Sequence, residues 1–275
     1  MRTLVVVQAR VSSTRLPGKV LRPLAGRPML IRQLERIDSA QAVFDLVVAT
    51  TTDPADDPIV ETTRRAGFDV FRGHPTDLLD RHYRLAREKN ADVVVKIPSD
   101  CPLIDPAAID RVIGTFLHAS GVDYASNLHP PSWPDGNDVE VMTMDALAIA
   151  HERAVRDFER EHTTPFLWDH PERFMLLNVA WETGMDYSRS HRFTVDYEED
   201  YAFVARVYDE LQTSQAPFTL DAILALLEQK PELLQIHERY AGVNWYRHHL
   251  GELRTKTLAD TRAVEPREDE HARIA

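Results

Sequence analysis

The sequence predicts an α/β protein with a mostly parallel central sheet covered on both faces, and three observations carry that reading. Short strand-like runs alternate with helix-like stretches through the first half of the chain, the rhythm that parallel sheets require. The runs Leu4–Val7 and Val93–Val95 are apolar without a break, the pattern of strands buried on both sides. The first run empties into a loop that gathers Arg10, Arg15 and Lys19 beside a Pro17-Gly18 turn, at a strand end where such sheets place their ligands.

Each element has its own signal. Leu4–Gln8 reads as the first strand, and Pro28–Ile37 as a helix with Leu30, Ile31 and Leu34 on one face. Leu46–Thr50 is a second strand, and Pro58–Ala66 a short helix stopped by Gly67. Val70-Phe71 is a brief strand, Asp77–Lys89 a helix and Asp92–Ile97 the valine-rich strand. Pro106–Leu117 is the next helix, with Asp105 as its N-cap and proline at the first helical position. After about residue 120 the rhythm changes. Asn127–Asn137, rich in proline, reads as a structured loop. Val139–Met142, Met175–Trp181 and His191–Val195 read as strands; Asp145–Phe158, Glu161–Trp168, Glu199–Gln212 and Leu220–Gln229 read as helices. The expected organisation is a single domain over 1–258 with an insertion or arm at about 127–190. The tail, 259–275, is too charged to pack and is expected to be disordered.

Composition narrows the function classes. The 275 residues carry a formal net charge of −12, with 43% hydrophobic and 28% charged residues, ordinary for a globular protein. No apolar run approaches the ~20 residues that span a bilayer, and no secretory leader is visible at the first residues. A single cysteine, Cys101, excludes an intrachain disulfide and suits a reducing cytoplasm. A pI near 5.4 argues against duplex DNA, whose footprint would be a basic face, so no nucleic-acid partner is expected. Three cations concentrated in one loop of an acidic chain therefore point to a small polyanion.

That loop is neither of the commonest phosphate loops. Gly18-Lys19 is present, but Ser13 stands where a Walker A motif needs glycine and Val20 where it needs Ser or Thr, and no G-x-G-x-x-G follows the first strand. The strand Val93–Ile97 delivers Asp100 to its carboxyl end, where a carboxylate suits Mg²⁺, a hard cation that shares its shell with phosphate oxygens. Asp196 ends the run Phe193-Thr194-Val195, and serves either as an N-cap or as a second metal ligand. Asp77 and Arg81, spaced i,i+4, either pair on a helix surface or face a substrate. The cluster Glu159-Arg160-Glu161-His162 either meets a substrate or caps a helix.

Taken in order, Gln8-Ala9-Arg10, Ser13-Thr14-Arg15-Leu16-Pro17-Gly18-Lys19, Asp100-Cys101-Pro102-Leu103-Ile104-Asp105-Pro106 and Thr194-Val195-Asp196 resemble the cytidylyltransferases. The branch is that of spore-coat polysaccharide biosynthesis, related to the acylneuraminate and 3-deoxy-manno-octulosonate (KDO) enzymes. Thr50-Thr51-Thr52-Asp53, Asp135-Gly136, Val139-Glu140-Val141 and Glu159–Pro165 also resemble it, while Ser99 departs from the branch's usual glycine. The resemblance runs from residue 1 to about 205; the remainder carries no motif. It implies a nucleotide-diphospho-sugar transferase fold, GT-A-like and Rossmann-like, with three layers. It also implies Mg²⁺-dependent transfer of CMP from CTP to an acidic sugar with release of pyrophosphate, by a homodimer.

The residue roles that follow are expectations. Lys19, Arg10 and Asp100 are catalytic, and Gln8, Ala9, Arg10, Ser13, Arg15, Gly18, Lys19, Asp77 and Arg81 hold the nucleotide. Asp100 and Asp196 hold Mg²⁺, and Glu140, Arg160, His162 and Arg192 meet the acceptor. A phosphate- or phosphonate-bearing acceptor is the alternative, and a non-catalytic nucleotide-binding protein the second.

Overall fold

A computed structural model describes residues 1–212 and 217–262. In chain order it builds β1 (Thr3–Gln8), a hairpin of β2 (Pro23–Leu24) and β3 (Arg27–Pro28), α1 (Met29–Asp38) and β4 (Asp45–Thr51). There follow α2 (Asp57–Arg65), β5 (Asp69–Gly73), α3 (Leu78–Lys89), β6 (Val93–Pro98), α4 (Pro106–His118) and β7 (Tyr124–Ser126). The second half supplies β8 (Glu140–Thr143), α5 (Met144–Arg153), α6 (Asp157–His162), α7 (Pro165–Trp168) and β9 (Leu176–Asn178). It ends with α8 (Glu198–Leu211), α9 (Leu220–Gln229) and α10 (Glu232–Gln235). Seven strands form one sheet in the order β5-β4-β1-β6-β8-β7-β9, parallel from β5 to β6, with β8 antiparallel to both its neighbours.

The unbroken apolar run of β1 explains the layers. Leu4, Val5, Val6 and Val7 are all 0% exposed, and each such side chain contributes about 1.5–3 kcal/mol by leaving water. Because strand side chains alternate, Val5 and Val7 pack with Leu30 and Leu34 of α1 and Ile109 and Val112 of α4. Leu4 and Val6 point the other way, onto Leu79 and Leu85 of α3 and Leu147 of α5. A three-layer α/β fold results, as the alternating elements of the sequence imply. A third cluster, where Phe193 and Val195 pack on Phe203 and Val204 of α8 and Ile223 of α9, braces the later half against the sheet. Among the described residues no helix is long and apolar enough to cross a membrane.

Several elements depart from expectation after residue 120. The stretch 127–190 gives β8 and β9 to the sheet itself, so much of it is woven into the central layer. The helix expected over Asp145–Phe158 stops at Arg153, because the buried Glu159 carboxylate accepts the backbone N–H groups of Val155 and Arg156 and starts a new helix there. The helix expected over Glu161–Trp168 is broken at Thr163, which takes φ of 72°, and Pro165 opens α7. His191–Val195 is not a strand of the sheet. It runs extended beside Asp135, with Phe193 N–H donating to Asp135 O (2.6 Å). Of the expected tail, Ala259 and Asp260 complete a short 3-10 turn over Leu258–Asp260, Thr261 and Arg262 follow it, and the rest lies outside the described residues.

Gly136 makes that extended passage possible. It has φ of 100°, and a Cβ there would lie 2.7 Å from the Phe193 carbonyl carbon. Gly18 also has a positive φ, 68°, but a Cβ there would meet nothing within 4 Å. Gly136→Ala is therefore expected to cost about 2–4 kcal/mol, strain and overlap together. Gly18→Ala should cost about 1–2 kcal/mol from backbone strain alone. Urea unfolding of the two variants checks the order, and equal losses would contradict the packing argument.

Candidate active site

The basic loop is shaped from its backbone outward. Beyond β1, Ala9 N–H continues the sheet by donating to Ala49 O (3.1 Å). Val11 N–H donates to the buried Asp56 carboxylate (2.7 Å), whose other oxygen accepts the Thr51 hydroxyl. Ser13 N–H and Gly18 N–H both donate to Val11 O at 2.9 Å, closing a ring that the left-handed Gly18 completes. Ser13 Oγ accepts Leu16 N–H (3.3 Å), and buried Leu16 and Val20 anchor the loop below. A 3-10 turn over Lys19–Leu21 then sends Lys19 back across the strand ends.

The two carboxylates meet there because one carbonyl gathers their backbones. Asp100 O, just past β6, accepts Val195 N–H at 2.8 Å and Thr194 Oγ at 3.2 Å. This sets Asp196 beside Asp100. The Lys19 ammonium stands between them, 3.0 Å from Asp100 Oδ2, 3.0 Å from Asp196 Oδ1 and 2.6 Å from Val195 O. Arg15 Nη2 reaches the same Asp196 oxygen at 2.7 Å, its guanidinium lying 5.4 Å from the Tyr197 ring. Burial alone would raise the Asp196 carboxyl, but Lys19, Arg15 and Arg192 outweigh it and hold it well below the usual range. Burial likewise opposes the Lys19 charge, yet Asp100 and Asp196 raise that ammonium above its ordinary value.

Arg192 is the buried keystone beneath this pair. Its guanidinium is bidentate on Asp200 (3.0 and 3.1 Å), and also reaches Asp196 Oδ2 and Asp135 Oδ2 at 3.2 Å each. Asp200, 0% exposed, accepts the N–H groups of Asp196 and Tyr197 (2.9 and 3.0 Å) and so starts α8. Asp56, Asp200 and Gln33, which accepts Cys101 N–H and donates to Pro98 O, were not singled out from sequence. Their helix-start and mid-helix positions carry no motif; only Asp200, three residues after Tyr197, has capping spacing as a signal.

The other expected residues are distributed less simply. Arg10 is 37% exposed at the side chain and makes a single long contact, 3.5 Å, with Glu161. Gln8 Oε1 is buried without a hydrogen-bond partner at the same strand end. Asp77 and Arg81 do not pair with each other. Asp77 caps α3 and binds Arg160 Nε at 2.5 Å. Arg81 is 0% exposed and donates to the carbonyls of His74, Pro75 and Ala49, so it shapes the loop before α3 instead of facing a ligand. Burial, with Arg10 nearby, lowers its guanidinium to about 10. Glu140 is tied to Lys96 (2.5 Å) and to the Tyr124 hydroxyl (2.6 Å). Arg160 also donates to the carbonyls of His151 and Ala154, and Arg192 is spent on three carboxylates. His162 stacks on Trp245 at 3.7 Å, and burial lowers its imidazole to about 3, so it is neutral at ordinary pH.

A separate pocket is lined by Glu140, His162 and Trp245 among others, and neither Asp100 nor Asp196 is part of its lining. The donor set at Asp100 and Asp196 is all hard oxygen, already arranged around one cation, and it fits Mg²⁺ with phosphate and water completing the shell. No group of three or more His, Cys, Asp or Glu side chains gathers around a metal position among the described residues.

A mostly parallel sheet, a basic loop after its first strand and paired carboxylates at the neighbouring strand end fit a nucleotidyltransferase-type α/β protein. The cytidylyltransferase family model matches residues 4–239, and the chain belongs to that family. It is 30% identical over 237 residues to spore coat polysaccharide biosynthesis protein SpsF of Bacillus subtilis, covering 83% of this chain and 95% of that one. It is 39% identical over 171 residues to a 3-deoxy-manno-octulosonate cytidylyltransferase of Geobacter sulfurreducens, covering 58% of this chain and 66% of that one. Among solved structures, a cytidylyltransferase from Leptospira borgpetersenii superposes with a TM-score of 0.81 at 30% identity, covering 86% of this chain and 97% of that one.

Arg192→Met leaves the buried Asp200 carboxylate without its guanidinium, with only the His237 ring 3.3 Å away, and is expected to cost about 3–5 kcal/mol in urea unfolding. Asp196 behaves oppositely to a raised group: its depressed folded value adds stability above the ordinary 3.8 that is lost as pH falls toward the folded value. Stability of Asp196→Asn should therefore fall less steeply than wild type below about pH 4. An unchanged slope would remove Asp196 from the charge network.

Proposed function

We propose that this chain transfers CMP from CTP to a hydroxyl of a sugar acceptor and releases pyrophosphate. The observation that carries the reading is the Lys19 ammonium held 3.0 Å from both Asp100 and Asp196, at the mouth of the Arg10–Lys19 loop. Membership of the cytidylyltransferase family and likeness to a KDO enzyme support the nucleotide and the sugar.

The chemistry is an in-line displacement. The acceptor oxygen forms a bond to the α-phosphorus as the bond from that phosphorus to the bridging oxygen breaks, and the hydroxyl proton leaves to solvent. Positioning and charge stabilisation supply most of the catalysis in such transfers. Arg10, the least engaged cation of the loop, and Arg15 take the outer phosphates. Lys19 sits deepest and meets the charge that grows on the α-phosphoryl oxygens. The incoming triphosphate replaces carboxylate oxygens as partner of Lys19 and Arg15. Asp100 and Asp196 would then hold Mg²⁺, which supplies neutralisation of phosphate charge when bound. The buried, unpaired Gln8 Oε1 offers an acceptor to the exocyclic amine of cytosine.

Lys19→Ala and Asp100→Asn are each expected to lower CTP-dependent pyrophosphate release about 100- to 1000-fold with circular dichroism unchanged. Near wild-type release by either variant would refute the assignment. CTP with Mg²⁺ should stabilise the protein against heat by about 2.7 kcal/mol at a hundredfold excess over its Kd. Equal stabilisation by UTP, GTP or ATP would refute cytosine selectivity.

A further inference from the structure

Three arginines are buried among the described residues, Arg36, Arg81 and Arg192. A guanidinium keeps its charge in a protein interior, so both its N–H groups and its charge need an answer. Arg192 finds carboxylates, and Arg81 finds backbone carbonyls for its nitrogens. Arg36 of α1 is different. Its Nε donates to Ile104 O at 2.7 Å, and its Nη2 donates to Leu103 O at 3.3 Å and Phe218 O at 2.8 Å. Its Nη1 is buried without a hydrogen-bond partner, although the residue is only 2% exposed. Among the described residues no carboxylate forms an ion pair with it, and the Phe218 ring, 4.5 Å from Cζ, covers one face. Burial lowers this guanidinium from its ordinary value, and Tyr208 and Asp105 oppose that only in part.

Arg36 lines a small pocket with Arg32, Glu35, Tyr208, Gln212 and Pro217. Glu35 is the one carboxylate of this lining, and it is already bound to Arg27 and Arg32. Arg32 also donates to the carbonyls of Leu24 and Ala25. The lining thus holds two arginines against one glutamate, and the charge left over is that of Arg36. A buried donor without an acceptor and a buried charge without a counter-ion both cost free energy. One small anion relieves both. A water would satisfy the donor and leave the charge, while a dianion would overshoot it.

The pocket stands behind the nucleotide site. Arg36 holds the carbonyls of Leu103 and Ile104, and the Tyr208 hydroxyl donates to Pro102 O at 2.8 Å, so two lining residues grip the chain just after Asp100. None of the lining residues bonds to Lys19, Asp100 or Asp196.

We propose that this pocket binds a single monovalent anion of the size of chloride, held by Nη1 of Arg36. The anion completes the shell of the guanidinium that ties α1 to the chain after Asp100 and to Phe218. This site is independent of the CMP-transfer reading and stands or falls without it.

Bromide serves as the first probe. Crystals soaked in sodium bromide and measured at the bromine absorption edge should show an anomalous peak in contact with Arg36 Nη1. In solution, thermal unfolding is followed at constant ionic strength as sodium chloride replaces sodium gluconate, whose anion is too large for the pocket. Chloride at tenfold excess over its Kd should raise Tm by about 3–5 °C along a saturating curve. That saturating rise should vanish in Arg36→Met. The quantity compared is the chloride dependence and not Tm itself, because the variant also loses its bonds to Leu103, Ile104 and Phe218. The bromide map and the wild-type curve need no variant, so a failure of Arg36→Met to fold leaves the test intact. A water in place of bromide, no saturating rise in wild type, or the same rise in Arg36→Met would overturn the proposal. Bromide at Arg36 with no effect on Tm would be an adventitious ion only, and would overturn it as well.

Discussion

The site depends on the carbonyl of Asp100. It accepts both the backbone N–H of Val195 and the hydroxyl of Thr194, and through those two bonds the end of β6 captures a chain segment from far along the sequence. Two carboxylates brought this close repel, by about 4 kcal/mol at 4 Å with an effective dielectric of 20. The Lys19 ammonium offsets that repulsion by standing between them and reaching Val195 O as well. Lys19 therefore holds the resting site together with the same charge that a triphosphate needs. In the proposed reaction the exchange of partners would be balanced, since phosphate oxygens would replace carboxylate oxygens around one ammonium.

Beneath that centre, Arg192 and Asp200 do something different. A buried ion pair is weak evidence for stability, because desolvation cancels much of the attraction. What the pair contributes is direction. Asp200 accepts the N–H groups of Asp196 and Tyr197, so α8 begins directly after Asp196, whose side chain reaches Lys19. Gly136 lets Asp135 pass close under Phe193, and the Asp135 carboxylate then meets the remaining arm of Arg192. Close backbone approach and charge pairing thus fix one geometry from two sides.

Much of this was legible in the chain. The unbroken valines of β1 and β6 gave the buried strands, and Asp105-Pro106 gave the start of α4, where Asp105 does accept Ala107 N–H at 2.7 Å. The loop cations stood out because the acidic chain made them anomalous, and Asp100 because a buried strand delivers it to its carboxyl end. Convergence of Asp196 with Asp100 was not legible, since it rests on backbone bonds between segments that share no pattern. Phe193 and Val195 alternate like strand residues, yet they pack against α8 instead of joining the sheet. Arg81 misled for a related reason. Spacing of i,i+4 shows which side chains are neighbours on a helix, but three backbone carbonyls compete for this guanidinium and win. Trp245 and Tyr246 carried no motif and became visible only as a wall of the pocket.

The two halves of the site also divide by charge, and the division has a mechanical consequence. On one side Arg15 and Lys19 of a single loop meet at Asp196; on the other Asp135, Asp138 and Glu140 line a pocket with one paired lysine. A triphosphate entering the second side would meet carboxylates in a confined, partly dry space, where like charges cost most. The boundary runs along β6, where Lys96 faces Glu140 inside the sheet and Asp100 emerges at its end. One strand thus places both the neutralised Lys96–Glu140 pair and, at its end, the Asp100 carboxylate that meets Lys19.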